Sequence, residues 1–553
     1  MKSLLRILFI IIAFLLLAVV AFSIFKGYDS FLDTVLEALG KTEKKEKAIE
    51  FLTPQRFIYI QTALGILSLL FFTLFVKAGP LLYYCQRFLF YTKLAVVSVL
   101  SDIATWKGLL VLILPLFASV YFAATIPVTI DEAFTFNNFS DKAFYVPFIY
   151  YPAPNNHILH SVLTNISVRL PFIDTLFALR LPTIISSVLL WIVAYSFVKR
   201  NYSEKVAIFV VSVSSMIFIS IYYSYTSRGY ALMMLMFMIG LYSVYGILRH
   251  GSKNKYWMFI GISTILGLYT MPTYMYPLLT LNIILLVFKY KYFKKIVQCN
   301  LIAAVITFLL YLPIFLLNNM EEAASVATDN PDQSPFISRI EFLQSLPYFL
   351  DKIQSFMFGI PGFVTLVLFL LTVLLLVVQR KKQDTVILFI FYLVPVLLHI
   401  IFPVVPLERT FIYMAFITIF FLGVSLSRYI SKINIIVLFS ISLPIQVAGF
   451  IYSKNEIPLY EDFNTFAKQT HDAVLEEGKT YYMPYSLSMN DIIFEMKVRG
   501  YDPEKYLFCD FKTTEADADT IYNYDYVIIE KAKDHTKFRK PYYSNNFQNV
   551  YKR

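Results

Sequence analysis

Two adjacent carboxylates, Asp131 and Glu132, stand just beyond an apolar segment, residues 109–125, that is long enough to cross most of a bilayer. Ionisable side chains are costly in hydrocarbon, so carboxylates at this depth indicate a functional site, and the chemistry open to them is proton transfer. The alternative is that they begin a solvated loop and cap a short helix, because acidic residues favour helix N-termini. Both interpretations stay open on these two residues alone.

A second polar cluster, Asn155, Asn156 and His157 followed by His160, comes later in the same stretch. The histidines are three residues apart, so they could share one face of a helix and bind a metal ion. A metal site wants a third ligand, and neither a metal nor another cofactor is predicted. For Asn156 and His157 we expect hydrogen bonding in a polar pocket, and for His160 the alternative is simple packing.

The composition is that of a membrane protein. The chain has 553 residues, of which 58% are hydrophobic and 15% charged, whereas a soluble domain is about a quarter charged. Its net charge of +11 does not indicate nucleic-acid binding, because the basic residues form short clusters between apolar runs, as membrane topology requires. The three cysteines, Cys85, Cys299 and Cys509, are too scattered for a zinc site or a disulfide framework.

The apolar runs predict an all-α polytopic protein with about thirteen transmembrane helices. Residues 1–107 are read as an N-terminal extension of two spans and a cytoplasmic or interfacial connection, and residues 108–452 as the main transmembrane domain with outer loops at 127–174 and 318–354. The predicted spans are 4–25, 57–76, 109–125, 175–198, 206–223, 230–248, 256–270, 274–288, 296–317, 355–378, 386–402, 410–426 and 433–452.

The basic clusters predict the orientation. With the N-terminus inside, the inner clusters hold 21 lysines and arginines and the short outer loops from the third span onward hold six, in keeping with the positive-inside rule. The charge-balanced segment 26–56, which carries six more basic residues on the outer side, is the one poor fit. The first span is expected to be an uncleaved anchor in a bacterial cytoplasmic membrane. In this orientation Asp131-Glu132, 155–160, Arg228 and Glu408-Arg409 all lie at the outer ends of spans, where a membrane-level pocket would draw its lining.

Residues 453–553 are polar and predict a small α/β domain outside the membrane. Residues 467–477 are typical of a helix, and 479–484, 506–511 and 525–530 are typical of strands. We expect this domain to be a structural or acceptor-positioning cap without catalysis of its own.

The order of these motifs resembles the GT-C superfamily of membrane glycosyltransferases, and within it the branch of protein O-mannosyltransferases and lipid A aminoarabinose transferases. In that branch an Asp-Glu pair follows an early span, a His-Pro-Pro-Leu-Tyr-like segment comes later in the same outer loop, and an Arg-Gly-Tyr-like segment follows two spans after that. Here they read Asp131-Glu132, then NNHILH at 155–160, then TSRGYAL at 226–232. Asn-Asn-His in place of the proline-containing version is a departure.

The resemblance implies transfer of a sugar from a polyprenyl phosphate to an acceptor lipid, glycan or protein. The leaving phosphate needs charge neutralisation rather than protonation, so such a site needs one carboxylate base and cations. Asp131 is the expected base, and Glu132 the residue that holds acceptor or donor. Arg228 is the expected phosphate ligand because its planar fork matches phosphate oxygens, with Arg409 and Lys142 as further candidates.

The other residues expected to bind substrate are Asn155, Asn156, His157, His160, Tyr230 and Glu408. Plainer interpretations stay open: Arg228 as a snorkelling residue, Tyr230 as an interfacial aromatic, and Glu408 with Arg409 as a local ion pair. Two alternative functions also stay open, a polysaccharide polymerase or ligase and a flippase or transporter of lipid-linked sugars. A transporter would be expected to carry charged or broken segments near mid-membrane.

Overall fold

The computed structural model describes residues 2–38, 45–152, 155–318, 339–401, 407–484, 489–510, 523–531 and 541–552. Most of the predicted outer loop 318–354 lies outside these ranges, and its described end belongs to a helix that begins at Arg339. The chain divides into two compact units.

Among the described residues, the first unit comprises 2–38, 45–98, 148–152 and 305–318. Its helices are α1 (Lys2–Lys26), α2 (Tyr28–Ala38), α3 (Lys45–Phe51), α4 (Pro54–Val76) and most of α5 (Ala78–Ile103). Helices α1 and α4 pack along each other, and Ser68 Oγ donates to the Ala13 carbonyl at 2.8 Å. The segment predicted as an interfacial connection contains α5, a single 26-residue helix.

The second unit holds the other helices of the membrane domain and the C-terminal domain. Its membrane-domain helices are α6 (Trp106–Thr125), α7 (Ile130–Thr135), α8 (Val146–Ile149, whose end belongs to the first unit), α9 (Ile158–Ser167), α10 (Thr175–Asn201), α11 (Glu204–Ser214), α12 (Phe218–Tyr225), α13 (Tyr230–His250), α14 (Asn254–Thr270), α15 (Met275–Lys289), α16 (Phe293–Leu317, shared with the first unit), α17 (Arg339–Phe358), α18 (Gly362–Val378), α19 (Lys382–Ile401), α20 (Ile412–Ser425), α21 (Ser427–Ile430) and α22 (Ile435–Tyr460).

The centre of this unit is built on helices that are apolar on every side. In the most apolar 18 residues of helix α13, 89% of the residues are buried. In the segment Glu408–Ser425, which contains α20, 83% of the residues are buried. Residues all round these helices pack against α10, α11, α14 and α15, because a helix without a polar face is stable only when it is surrounded. Helices such as α6 and α22 keep more exposed apolar surface, as expected for contact with lipid.

Among the described residues, eight helices are long and apolar enough to cross a membrane, or up to ten if each bent pair is one span. The total of thirteen spans stays a prediction. Two predicted spans are broken: α11 and α12 meet at 75°, and α17 and α18 meet at 88°. The predicted span 355–378 is therefore wrong at its start, because residues 355–358 end α17 and the chain turns at Gly359–Pro361, where Gly359 has φ +68°.

The C-terminal domain is the small α/β domain expected from the sequence. Its helices are α23 (Asp462–Val474), α24 (Met489–Val498) and α25 (Pro503–Tyr506), and its strands are β1 (Tyr481–Pro484), β2 (Leu507–Asp510), β3 (Tyr526–Glu530), β4 (Tyr543–Ser544) and β5 (Gln548–Lys552). The sheet order is β2-β1-β3-β5-β4, with β1 parallel to both β2 and β3 and the remaining pairs antiparallel. Helix α22 runs on to Tyr460, eight residues past the predicted boundary at 452.

Candidate active site

The first predicted motif forms α7, a short helix whose start is fixed by a capping box. Thr129 Oγ1 accepts the Glu132 backbone N–H at 3.3 Å, and Glu132 Oε2 accepts the Thr129 backbone N–H at 3.0 Å. This arrangement satisfies two N–H groups that a helix start leaves free. Glu132 therefore caps the helix, as one of the two interpretations of the pair expected, whereas the Asp131 side chain takes no part in the cap.

Glu132 is fully buried, and both oxygens of its carboxylate accept hydrogen bonds from other groups of the protein. Arg180 on α10 donates to it twice, from Nε to Oε1 at 2.9 Å and from Nη2 to Oε2 at 2.6 Å, with neither side chain exposed. Oε1 also accepts the Ser227 backbone N–H at 2.6 Å. Glu132 thus joins α7 to the segment that carries Arg228, and the structure gives it no contact with an open surface.

Arg180 was missed by the sequence interpretation, although an arginine inside an apolar span is the kind of residue that marks a site. Its remaining N–H groups bind the end of α6, with Nη1 donating to the carbonyls of Ala123 and Ile126 at 3.0 and 2.7 Å and Nη2 to that of Pro127 at 2.8 Å. A single guanidinium therefore holds α10, α7 and the end of α6 together.

Asp131 lies beside two arginines from distant parts of the chain. Its Oδ2 is 3.4 Å from Arg228 Nη2 and 3.5 Å from Arg409 Nη1, and Asn155 Nδ2 donates to Oδ1 at 3.4 Å. The Asp131 side chain is 41% exposed, whereas that of Arg228 is 5% exposed. The structure therefore brings three other predicted site residues, Arg228, Arg409 and Asn155, to the accessible carboxylate of Asp131.

The two guanidinium groups keep hydrogen-bonding capacity to spare. Within the described part of the chain, Nε and Nη1 of Arg228 and Nε of Arg409 are buried without a hydrogen-bond partner. Buried N–H groups of a charged side chain are normally satisfied, so these groups are available to bind a ligand. The ligand that suits two converging guanidinium groups is an oxyanion such as a phosphate.

His157 positions the loop that carries Arg228. Its Nδ1 accepts the Gly229 backbone N–H at 2.8 Å, so the ring proton resides on Nε2. Burial and the positive charge of Arg228 hold the pKa of His157 well below its ordinary value of 6.5, which keeps the ring neutral. A Cβ at Gly229 would lie 2.9 Å from the Cβ of His157 and 2.9 Å from Thr270 Cγ2, so the approach depends on glycine.

The remaining polar residues of this loop have structural contacts. His160 Nε2 lies 2.9 Å from Thr183 Oγ1, and burial lowers the pKa of His160 to about 3. Asn156 Nδ2 donates to the Pro147 carbonyl at 3.2 Å. Among the described residues, no three His, Cys, Asp or Glu side chains are grouped as a metal site would require.

The other predicted residues lie in different surroundings. Tyr230 is buried, with its ring 4.2 Å from that of Tyr223 and edge-on to His157 at 5.5 Å. Glu408 forms its ion pair with Lys352 at 2.6 Å, while Arg409 is directed to Asp131, so the possible Glu408–Arg409 pair is replaced by two separate contacts. Lys142 is exposed and takes no part in the ion pairs around Asp131.

Glu461, at the end of α22, is a second buried acid that the sequence interpretation missed. Its carboxylate accepts the hydroxyl of Tyr222 and the side-chain amide of Asn464. The Asn464 amide oxygen in turn accepts the Ile130 backbone N–H at 3.2 Å. Burial raises the pKa of Glu461 to about 7.

Comparison with known proteins supports one conclusion about the fold. No family model and no curated protein sequence matches the chain. ArnT from Cupriavidus metallidurans, solved bound to undecaprenyl phosphate, aligns with a TM-score of 0.53 at 10% identity, over 80% of this chain and 96% of that one. The apo structure of the same protein aligns with a TM-score of 0.46 at 11% identity, over 85% and 98%.

The chain has the GT-C fold. ArnT is a lipid A aminoarabinose transferase, so the resemblance predicted from the order of the three motifs is confirmed at the level of the fold. Together with its apolar helices, the GT-C fold also makes the chain an integral membrane protein.

Removing the carboxylate of Glu132 should destabilise the protein strongly. In Glu132→Gln the Arg180 charge stays buried without its counter-ion, and breaking a buried pair in this way costs about 3–5 kcal/mol. The midpoint of thermal unfolding in detergent should fall clearly. Asp33→Asn, which removes the exposed ion pair with Lys45, is the control and should leave the midpoint unchanged. Equal midpoints for Glu132→Gln and Asp33→Asn would show that the buried Glu132–Arg180 ion pair does not stabilise the fold.

A methyl group at Gly229 should disturb the site by overpacking. Gly229→Ala forces apart two neighbours that already lie 2.9 Å from the added carbon, and overpacking of this kind costs about 1–3 kcal/mol. Gly261→Ala is the matched control, because the nearest atom there is Cys299 Sγ at an ordinary 3.6 Å. Thermal unfolding in detergent compares the two, and a Gly229→Ala protein as stable as the control would contradict the close approach.

Glu461 should give the protein a pH-dependent stability. Its pKa is about 7 in the folded state against an ordinary 4.5, so the folded state binds the proton more tightly. Stability should therefore fall as the pH rises from about 4.5 to about 7 and then level off. Unfolding midpoints across this range should show a smaller fall in Glu461→Gln. Parallel profiles for the two proteins would show that Glu461 ionises normally.

Proposed function

We propose that the chain is a glycosyltransferase that moves a sugar from a polyprenyl-phosphate donor to an acceptor on the outer face of the membrane. The observation that carries this proposal is the convergence of Arg228 and Arg409 on Asp131, with N–H groups of both arginines buried and unpartnered in the described chain. The GT-C fold adds support, because the ArnT structure that shares it holds undecaprenyl phosphate.

The arginines act on the leaving group. As the bond between the sugar C1 and the phosphate oxygen breaks, the electron pair stays on that oxygen and the charge of the polyprenyl phosphate increases. Two guanidinium groups, one of them almost wholly buried, stabilise this charge more strongly than water would, because they are already oriented and lie in a poorly polarisable environment.

Asp131 acts on the acceptor. Its half-exposed carboxylate takes the proton of the acceptor nucleophile while that atom forms the new bond to C1 of the sugar. Asn155 orients the carboxylate through Oδ1, which leaves Oδ2 on the side of the arginines. Glu132 keeps α7 in place, because each of its two carboxylate oxygens already accepts two hydrogen bonds from the protein.

The placement of the site supports transfer outside the cytoplasm. Asp131 lies at the start of α7, Arg228 between α12 and α13, and Arg409 just before α20. From the third predicted span onward, the distribution of 21 inner against six outer basic residues assigns these three positions to the outer face. A bacterial cytoplasmic membrane with the N-terminus inside fits this orientation.

Variants of Asp131 and the arginines should separate chemistry from donor binding. The purified full-length protein would be given mixed polyprenyl-phosphate sugars and membrane extract as the acceptor source, with release of polyprenyl phosphate followed by mass spectrometry. Asp131→Asn should lose roughly 10²–10⁴-fold in release but still bind polyprenyl phosphate, since a base acts in the transition state. Arg228→Gln should weaken that binding by roughly tenfold or more through loss of a charge-assisted contact.

Lys142→Gln is the matched control for the arginine variants, because this side chain is exposed and outside the cluster, and it should bind and release like wild type. Release that persists in Asp131→Asn would move the base to another residue. Binding of polyprenyl phosphate without release from any donor would overturn the transferase assignment in favour of a carrier of lipid-linked sugars.

A further inference from the structure

Helix α24 of the C-terminal domain lies directly against α7, the short helix that carries Asp131. The ring of Phe494 meets that of Phe136 edge-on, with the ring centroids 5.0 Å apart and an angle of 78°. Phe494 is 2% exposed and completes a small apolar core with Val128, Ala133, Phe136 and Leu179. Phe494 thus reaches this core from a part of the chain more than 350 residues after Phe136.

Polar contacts around this core fix the direction of the two helices. Asn137 Nδ2 donates to the Asn490 carbonyl at 2.9 Å, and Lys497 Nζ lies 2.7 Å from Asp141 Oδ2 and 5.7 Å from the centre of the Phe136 ring. On the other side of α7, Asn464 accepts the Ile130 backbone N–H. The C-terminal domain therefore contacts both the start of α7 and the turn that follows it.

Helix α7 cannot hold its own position. It has six residues and is followed by a five-residue π-helical turn, whereas isolated helices shorter than about 12 residues are marginal in water. Asp491, in the first turn of α24, is buried, and burial together with the charge of Glu461 raises its pKa well above the ordinary value.

We propose that the C-terminal domain is a positioning element of the transfer site, in which Phe494 holds α7 and so sets the position of the Asp131 carboxylate between Arg228 and Arg409. This inference rests on the proposed function for its effect on turnover, but not for its effect on α7. Phe494 acts through Asp131 and is a positioning residue. A displacement of about 1 Å can cost a reaction roughly 10²-fold, so the domain would control the rate without touching substrate.

The test compares Phe494→Ala and Phe494→Leu in the full-length protein. Amide hydrogen exchange of the peptides that cover residues 129–141 is measured first, because it reports α7 whatever reaction the protein catalyses. Exchange should be at least tenfold faster in Phe494→Ala than in wild type, and Phe494→Leu, which refills most of the space, should restore most of the protection. Release of polyprenyl phosphate should fall by roughly 10–100-fold in Phe494→Ala, while binding of polyprenyl phosphate should change less than threefold.

Phe547→Ala is the matched control. Phe547 meets Phe463 edge-on at the same centroid distance, 5.0 Å, but this contact lies wholly within the C-terminal domain. Faster exchange at 129–141 in Phe494→Ala alone supports the proposal, whereas equal exchange in Phe494→Ala and wild type, or equal loss in both alanine variants, overturns it. If exchange responds as expected but wild type releases no polyprenyl phosphate, the proposed function fails and the positioning of α7 stands.

Discussion

The buried ion pair between Arg180 and Glu132 is the interaction on which the site depends. Placing a guanidinium in a membrane domain is costly unless all its N–H groups are satisfied, and here one carboxylate and three carbonyls satisfy them. Because the carbonyls belong to the end of α6 and the two residues after it, and the carboxylate belongs to α7, satisfying Arg180 fixes where α7 begins. The Ser227 N–H on Glu132 extends the same constraint to the loop of Arg228.

The N–H groups of the arginines beside Asp131 have fewer hydrogen-bond partners than those of Arg180. Glu132 and Arg180 have no capacity left, while Arg228 and Arg409 keep buried N–H groups without partners in the described chain, beside a carboxylate that is 41% exposed. Adjacent residues of one motif thus have different surroundings: Glu132 is buried and holds the backbone, whereas Asp131 stays accessible between two arginines. Neutral His157, which accepts from Gly229, lets the arginine loop pack closely without adding another positive charge.

Several features could be predicted from sequence because they follow from local pattern or from cost in lipid. Apolar runs indicated a helical membrane protein, strand-like segments at 479–484, 506–511 and 525–530 indicated β1, β2 and β3, and the order of three motifs indicated the GT-C fold. The breaks between α11 and α12 and between α17 and α18 were missed, because a bent pair has the same mean hydropathy as a straight span. Arg180 was missed because hydropathy averages over a span and hides one charge within it.

The sequence by itself determined which residues face the cost of the membrane: Asp131, Glu132, Arg228 and Arg409 had to lie at span ends or find partners, because lipid offers them no hydrogen bonds. Only the tertiary structure decided which contacts each of these four residues makes. Which carboxylate is buried by Arg180, which arginine meets Asp131, and that Phe494 closes the core beneath α7 all depend on contacts between residues tens to hundreds of positions apart, and no local pattern encodes such distances.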